Sequence, residues 1–138
     1  DPCNTVRGRG LGDKLRYVIN ALCENFTDMT PNYEHNYCCA AGGGIINCGP
    51  PWKRARMISN RVKAEQIAAT GADVVITPCH NCHAQIHDIS EHFEGGYHSV
   101  HLWTLICLSM GILGENEREY LGPDLADVDV LPSKELEE

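Results

Sequence analysis

The sequence predicts a single small α/β domain, with a largely parallel sheet flanked by helices. The chain has 138 residues, a length at which one domain can bury its own core. Its apolar content of 43% and charged content of 22% are ordinary for a globular protein. Helix-like and strand-like patterns alternate along the chain, and this order is typical of parallel sheets.

The first third of the chain is predicted to contain one long helix. After a loop of Gly and Arg residues over 1–10, apolar residues recur at three- and four-residue steps from Leu11 to Phe26. This spacing is typical of an amphipathic helix. The segment Tyr37–Cys39 is predicted to be the end of a short strand. Residues 40–51 follow as a loop rich in Gly and Pro, whose glycines allow backbone N–H groups to approach an anion or a sulfur atom.

The rest of the sequence is predicted to continue the alternation of helices and strands. Pro51 suits the first turn of a helix, which extends to about Thr70 and ends at Gly71. Strand, helix, strand and helix are then predicted over residues 72–76, 80–93, 97–103 and 105–113. We assign residues 1–121 to one cysteine-rich domain and residues 122–138 to an acidic, extended or disordered tail. Because the chain opens on Asp1 without a Met, we expect an N-terminally truncated fragment.

The charge distribution and the lengths of the apolar runs exclude two classes of function. Residues 115–138 carry nine acidic side chains against Arg118 and Lys134, so most of the net charge of −8 lies in this segment. The nearly neutral body argues against a nucleic-acid partner. No apolar run approaches the roughly 20 residues that a membrane helix needs, so we predict no direct membrane insertion.

The helix that begins at Pro51 carries five basic residues against one acid, Glu65. We interpret this surface as a solvated helix face, and the alternative is a docking surface for an acidic partner. The five basic residues are Lys53, Arg54, Arg56, Arg61 and Lys63.

Five of the eight cysteines form a pattern that indicates metal or redox chemistry. Cys79 and Cys82 form a Cys-x-x-Cys motif, Cys38 and Cys39 are adjacent, and Cys3 lies near the start. Each falls at a predicted strand end or loop, so three distant segments can converge at the C-terminal edge of a parallel sheet. Thiolates select zinc, copper(I) or iron–sulfur clusters, and five thiolates exceed the four of an ordinary zinc or cubane site.

Three other interpretations of these cysteines remain open. A structural zinc site would use Cys3, Cys38 or Cys39, Cys79 and Cys82. The run from Cys79 to His83 also matches Cys-x-x-Cys-His, the attachment signature of c-type haem. A thioredoxin-like disulfide between Cys79 and Cys82 is the third. Cys23, Cys107 and Trp103 are predicted to be core residues, and Cys48 has no assigned role.

The spacing of these cysteines resembles that of a known family. The pattern Cys-x34-Cys-Cys-x39-Cys-x-x-Cys is similar to the cysteine-rich (CCG) domain of heterodisulfide reductases. It is similar in particular to the catalytic iron–sulfur subunits of membrane redox complexes of sulfate reducers and methanogens. The opening Asp1-Pro2-Cys3-Asn4 and the run from Cys38 to Gly44 also resemble that domain. One departure is Ala40, which stands where the family has Gly.

The resemblance implies a heterodisulfide reductase-like oxidoreductase that works as part of a larger protein or complex. It implies a non-cubane [4Fe-4S] cluster held by all five cysteines, whereas a fragment purified in air is expected to hold zinc or no metal. The implied partners are a disulfide substrate or a cysteine-bearing carrier protein, and other subunits of a membrane-bound electron-transfer complex. The implied location is cytoplasmic, peripheral on the cytoplasmic side of that complex. His80 and His83 flank the Cys-x-x-Cys motif and are candidate proton donors.

Overall fold

The fold is mixed helix and strand, which confirms the predicted α/β class. The computed structural model describes residues 1–113, so the predicted tail of residues 122–138 and its boundary lie outside the described residues. Within residues 1–113 there are five α-helices and a two-stranded parallel sheet. No helix of this part of the chain is long and apolar enough to cross a membrane.

From residue 74 onward, strands and helices follow one another in the predicted order. In chain order the helices and strands are α1 Gly12–Leu22, α2 Pro50–Ser59, α3 Arg61–Ala68, β1 Val74–Thr77, α4 His80–His92, β2 His98–His101 and α5 Leu102–Ser109. Two short 3₁₀ turns, Tyr33–His35 and Ile45–Asn47, interrupt the long connection between α1 and α2.

The sheet and the crossover helix α4 form the centre of the domain. β1 and β2 pair in parallel, from Val74 opposite His98 to Thr77 opposite His101. Parallel strands need a crossover connection, which is usually a helix, and α4 supplies it here. The helix buries apolar side chains against β1 and the α2–α3 layer. This core cluster consists of Met57, Ile67, Val75, Ile86, Ile89 and Tyr97.

The helix predicted from Pro51 to Thr70 is two helices, so this prediction is wrong in detail. The chain breaks between α2 and α3 at Asn60, which is completely buried. Its side-chain amide donates a hydrogen bond to the carbonyl of Cys39 at 2.8 Å. Asparagine is a weak helix former because its side chain competes for backbone partners. In the same way, α1 ends at Leu22 and does not reach Phe26.

The strand predicted at Tyr37–Cys39 is also wrong, since the sheet of the described residues has two strands, β1 and β2. Residues 37–39 carry no helix or strand assignment. The carbonyl of Cys39 pairs with the side chain of Asn60 instead of a neighbouring strand. A short apolar run does not by itself fix a sheet partner, so the pattern gave no sign of this difference.

Burial corrects several predictions about individual side chains. Trp103, predicted as core, is 60% exposed on α5, and Cys23 and Cys107 are half-buried instead of fully buried. The prediction that the basic helix face is solvated is wrong for Arg56 and Lys63, each of which is only 3% exposed. Both side chains point into the interior because the two helices pack against the sheet layer and the cysteine loop.

Candidate metal centre

Three segments carry the five candidate cysteines to one region. Cys3 lies in the N-terminal turn, and Cys38 and Cys39 lie in the loop before α2. Cys79 is the N-cap residue of α4, and Cys82 lies in the first turn of that helix. Since β1 ends at Thr77, the Cys-x-x-Cys motif lies at the C-terminal edge of the sheet, where the sequence predicts the site.

The thiols contact one another as a chain of pairs. The Sγ atoms of Cys39 and Cys82 are 3.1 Å apart. Electrostatic interactions also link Cys82 with Cys79, and Cys3 with Cys38. The charges of Cys3 and Cys39 interact as well, which links the two pairs. The structure therefore brings all five sequence-predicted cysteines together.

A small cavity of about 50 Å³ lies among these thiols. Four of the cysteines border it, and Cys38 and Cys3 are exposed while Cys39 and Cys82 are half-buried. Lys63 borders the same cavity. One side of the thiol group is therefore open to solvent and the other faces a buried ammonium group.

A second, mainly apolar cavity of about 280 Å³ lies beside the first. The two cavities share lining residues, among them Met29, Asn36 and Ile76. Of the described cysteines, Cys23 borders this larger space. Cys3, Cys38, Cys39 and Cys82 therefore border the smaller cavity, and none of the five clustered cysteines borders the larger one.

The loop that carries Cys38 and Cys39 turns through unusual backbone angles. Ala40 has a φ of 57°, in the left-handed region that favours glycine. This conformation places the N–H of Ala40 3.2 Å from the Sγ of Cys38, to which it donates. The next residue, Ala41, is completely buried and anchors the loop. The loop thus points the backbone N–H of Ala40 at sulfur, whereas the predicted approach was through the loop's glycines.

The pKa values of Cys39 and Cys82 shift in opposite directions because the two thiols share a hydrogen bond. A hydrogen bond from the Cys82 thiol lowers the pKa of Cys39 to about 6, against an opposing effect of burial. The N–H of Ala41 and the charge of Lys63 lower it further. The same hydrogen bond, together with burial, raises the pKa of Cys82. At neutral pH, Cys39 is thus the thiolate of this pair, and thiolate is the form that binds metal.

Two other ionisable groups respond to the same surroundings. Burial, followed by the charge of Cys38, raises the pKa of Cys3. Burial lowers the pKa of Lys63 to about 8, while the nearby Cys39, Cys82 and Cys38 oppose this change. Lys63 therefore still carries a positive charge at pH 7.

The two candidate histidines occupy different positions on α4. His80 is exposed at the first residue of the helix. His83 is half-buried, with Nδ1 3.1 Å from the hydroxyl of Ser99 and its ring centroid 6.0 Å from that of His101. Burial, and then the neighbouring His101 and His80, lower the pKa of His83. His83 is therefore neutral at physiological pH and is oriented by β2.

The chemistry of this donor set suits a group that contains several metal atoms. Among residues 1–113, no group of three or more His, Cys, Asp or Glu side chains is arranged to hold one metal ion. Five soft sulfur donors from three separate segments lie in one region instead. Five thiolates exceed the four donors of one tetrahedral ion. A cluster in which different irons bind different thiolates therefore fits this donor set better.

The cysteine pattern also matches a family model. The model, described as a cysteine-rich domain and named CCG, matches residues 1–87, which contain all five clustered cysteines. The chain belongs to the CCG cysteine-rich domain family. No solved structure matches this CCG domain.

Curated relatives of the CCG domain are iron–sulfur and heterodisulfide reductase subunits. An Hdr-like menaquinol oxidoreductase iron-sulfur subunit of Archaeoglobus profundus is 37% identical over 83 residues, which cover 57% of this chain and 15% of the relative. A subunit of the dihydromethanophenazine:CoB--CoM heterodisulfide reductase of Methanosarcina barkeri is 33% identical over 89 residues, or 64% of this chain and 21% of the relative. The chain therefore corresponds to a small part of each of these longer proteins.

Sequence reasoning missed two residues that shape the site, Lys63 and Asn60. Lys63 was one of five basic residues on a helix, and nothing in the sequence distinguishes it from its exposed neighbours. For Asn60 the sequence offered a weak signal of a helix break, since Asn is disfavoured in helix interiors. Cys48, near the cysteine loop in sequence, is exposed and contacts the carbonyl of Gly44 at 3.7 Å; the contacts among the five thiols do not include it.

Proposed function

We propose that this CCG domain holds an iron–sulfur cluster of the non-cubane [4Fe-4S] type. The proposed ligands are Cys3, Cys38, Cys39, Cys79 and Cys82. The observation that carries the proposal is the convergence of these thiols from three separate segments. The Sγ atoms of Cys39 and Cys82 are 3.1 Å apart, and four of the five cysteines border one cavity. The names of the relatives, which are iron-sulfur and heterodisulfide reductase subunits, support the same assignment.

The proposed reaction is the reduction of a disulfide, or its reverse, within a larger heterodisulfide reductase-like oxidoreductase. One disulfide takes up two electrons and two protons, the S–S bond breaks, and two thiols form. When bound, the cluster supplies one-electron transfer and iron sites for sulfur. The electrons come from a quinol-class donor by way of partner subunits, in agreement with the menaquinol and dihydromethanophenazine in the relatives' names.

The residues of the chain supply access and protons. Cys3 and Cys38 are exposed, so we place the approach of the substrate, a small heterodisulfide or a cysteine-bearing carrier protein, on their side. His80 and His83 lie on either side of Cys82 in the sequence and are the proposed carriers of the two protons that the product thiols require. Since burial lowers the pKa of His83 and leaves it neutral at physiological pH, His83 first takes up a proton before it donates one.

Two alternatives for the same cysteines are less well supported. A structural zinc site takes four thiolates around one ion and would leave the fifth of the clustered cysteines without a role. A c-type haem would need Cys79 and Cys82 for thioether bonds, yet the Sγ of Cys82 lies against Cys39. Haem would also leave Cys3, Cys38 and Cys39 without a role.

We also retain the proposals for organisation and location. We propose that the domain covers residues 1–121, that residues 122–138 form an acidic tail, and that the domain works as part of a larger protein or complex. The protein is proposed to be peripheral, on the cytoplasmic side of a membrane complex, in contact with other electron-transfer subunits.

The test is to measure iron, acid-labile sulfide and zinc after anaerobic reconstitution, with Cys39→Ser and Cys82→Ser as variants. Cys107→Ser is the matched control, since Cys107 is half-buried on α5 away from the other thiols. We expect about four irons and four sulfides per chain in the parent and the control, and loss of the cluster in the two variants. We also expect the electron paramagnetic resonance signal of the parent to change on addition of a thiol.

Two results would contradict the proposal. One is a full cluster in either Cys39→Ser or Cys82→Ser. The other is a parent protein that still binds one zinc and no sulfide after reconstitution. Covalent haem is tested separately by a Soret band that survives acid-acetone extraction, which we do not expect.

A further inference from the structure

Lys63 is a buried ammonium group at the inner wall of the thiol cavity. This residue of α3 is 3% exposed. Its Nζ donates hydrogen bonds to Oδ1 of Asn36 at 2.8 Å and to Oε1 of Gln66 at 2.5 Å. Both acceptors are neutral and buried. The side chain is therefore held in one position, but these two contacts supply no opposite charge.

The described residues offer Lys63 no carboxylate. The ion pairs within residues 1–113 join other groups, and none includes Lys63. Burial of a charge is costly unless an opposite charge compensates it. Asp1 also borders this cavity, but its carboxylate is paired with Arg16 at 2.8 Å, so the thiols that face the cavity are the group that compensates Lys63.

Arg56 provides an internal comparison. It is buried to the same degree, but its Nη1 lies 3.3 Å from a carboxylate oxygen of Asp88. Of the two cations that are buried among residues 1–113, the fold thus supplies a carboxylate to one. The other cation, Lys63, shares its cavity with Cys3, Cys38, Cys39 and Cys82.

We propose that Lys63 is the fixed counter-cation of the clustered thiolates and that it raises the reduction potential of the iron–sulfur cluster they hold. The proposal rests on the proposed function for the cluster itself. Five thiolates make the site strongly negative, so entry of a further electron is opposed. A positive charge held close to the ligands in a poorly hydrated interior offsets part of this repulsion, and the charge around a cluster is one determinant of its potential.

The experiment compares the reduction potential of reconstituted parent protein with that of Lys63→Met, which removes the charge but keeps most of the side-chain length. At a fixed applied potential, we expect the ratio of reduced to oxidised cluster to fall at least about tenfold, which is about 59 mV for a one-electron couple. Lys63→Arg retains the charge and should stay close to the parent. Lys14→Met makes the same change at an exposed position of α1 and should leave the potential unchanged.

A second measurement uses metal-free protein and separates this proposal from the proposed function. The rate of alkylation of Cys39 by iodoacetamide at pH 7, read by peptide mass spectrometry, should fall severalfold in Lys63→Met, because a thiolate without its counter-cation is less stable. If no cluster forms in the parent, the proposed function fails, while this rate still decides the role of Lys63. If Lys63→Met does not fold, Lys63→Gln takes its place with the same expectation.

A parent-like value in either assay would overturn the proposal. A Lys63→Met protein that keeps the parent potential would show that the ammonium group does not act on the cluster. An unchanged alkylation rate would show that it does not act on the thiolates. If Lys63→Arg has the same reduction potential and alkylation rate as Lys63→Met, the effect comes from the shape of the side chain and not from its charge.

Discussion

The cysteine loop contains two adjacent alanines that should respond in opposite directions to the same substitution. Ala40 has a φ of 57°, a conformation that costs an L-residue about 1–2 kcal/mol. Ala41 is completely buried and is not among the residues with a positive φ. We predict that Ala40→Gly stabilises the fold and that Ala41→Gly destabilises it.

The magnitudes follow from these two observations. In Ala40→Gly, glycine relieves about 1.5 kcal/mol of backbone strain, and the greater freedom of the unfolded chain costs about 0.7 kcal/mol. The net gain in the free energy of unfolding is about 0.8 kcal/mol. Ala41→Gly loses one buried methyl group, worth about 0.8 kcal/mol, and the same entropy, so its net loss is about 1.5 kcal/mol.

The assay is urea denaturation of metal-free, reduced protein, followed by far-UV circular dichroism. The two variants should differ in free energy of unfolding by about 2 kcal/mol, with equal denaturant slopes. Because the N–H of Ala40 donates to Cys38 from the backbone, Ala40→Gly should also retain full cluster assembly after reconstitution.

A loss of stability in Ala40→Gly comparable to that in Ala41→Gly would refute the reasoning. That result would mean that the loop is not strained at residue 40, or that it gains the same rigidity from both methyl groups. The first interpretation would also remove the structural reason why the family has Gly at this position.

Two further predictions concern the anchors of the site. Asn60→Ala removes the hydrogen bond to the carbonyl of Cys39 and should lower the free energy of unfolding by about 1–3 kcal/mol. The same urea denaturation measures this loss, with Asn20→Ala at an exposed position as the control. A loss equal to that of the control would contradict the prediction. Asp28 accepts two hydrogen bonds from Arg16, at 2.7 and 2.9 Å, and these outweigh burial and lower its pKa below 3.8. Its contribution is therefore complete above pH 3.8 and is lost as the pH falls through the lowered pKa. Asp28→Asn should cost about 1–2 kcal/mol at pH 7, and this difference from the parent should shrink in denaturation series toward about pH 3, whereas a constant difference would exclude a charge effect.

The order of the elements could be predicted from the sequence because local patterns encode it. The apolar run at Val74–Thr77 follows the helix stop at Gly71, and α4 begins directly after it, as predicted. The five cysteines could be selected as one group because their spacing places each at an expected strand end or loop. Both inferences depend on neighbours within a few residues and on the general geometry of parallel sheets.

Burial and pairing could not be predicted, because they depend on contacts between residues far apart in the chain. The basic helix face gave no means to separate Lys63 from its exposed neighbours, and Trp103 looked like core in an apolar run but is 60% exposed. The strand predicted at Tyr37–Cys39 lacks a ladder because the carbonyl of Cys39 is taken by Asn60, 21 residues away.

The sequence by itself determined which residue types this chain brings to its site, namely five soft thiol ligands in a spacing that its family shares. Tertiary structure alone decided the surroundings of those thiols: Cys39 and Cys82 share a hydrogen bond across 43 residues. Lys63 borders their cavity without a carboxylate partner among the described residues. The physical reason is that the charge state of a group depends on its distance to other charges and to water, and packing sets both distances.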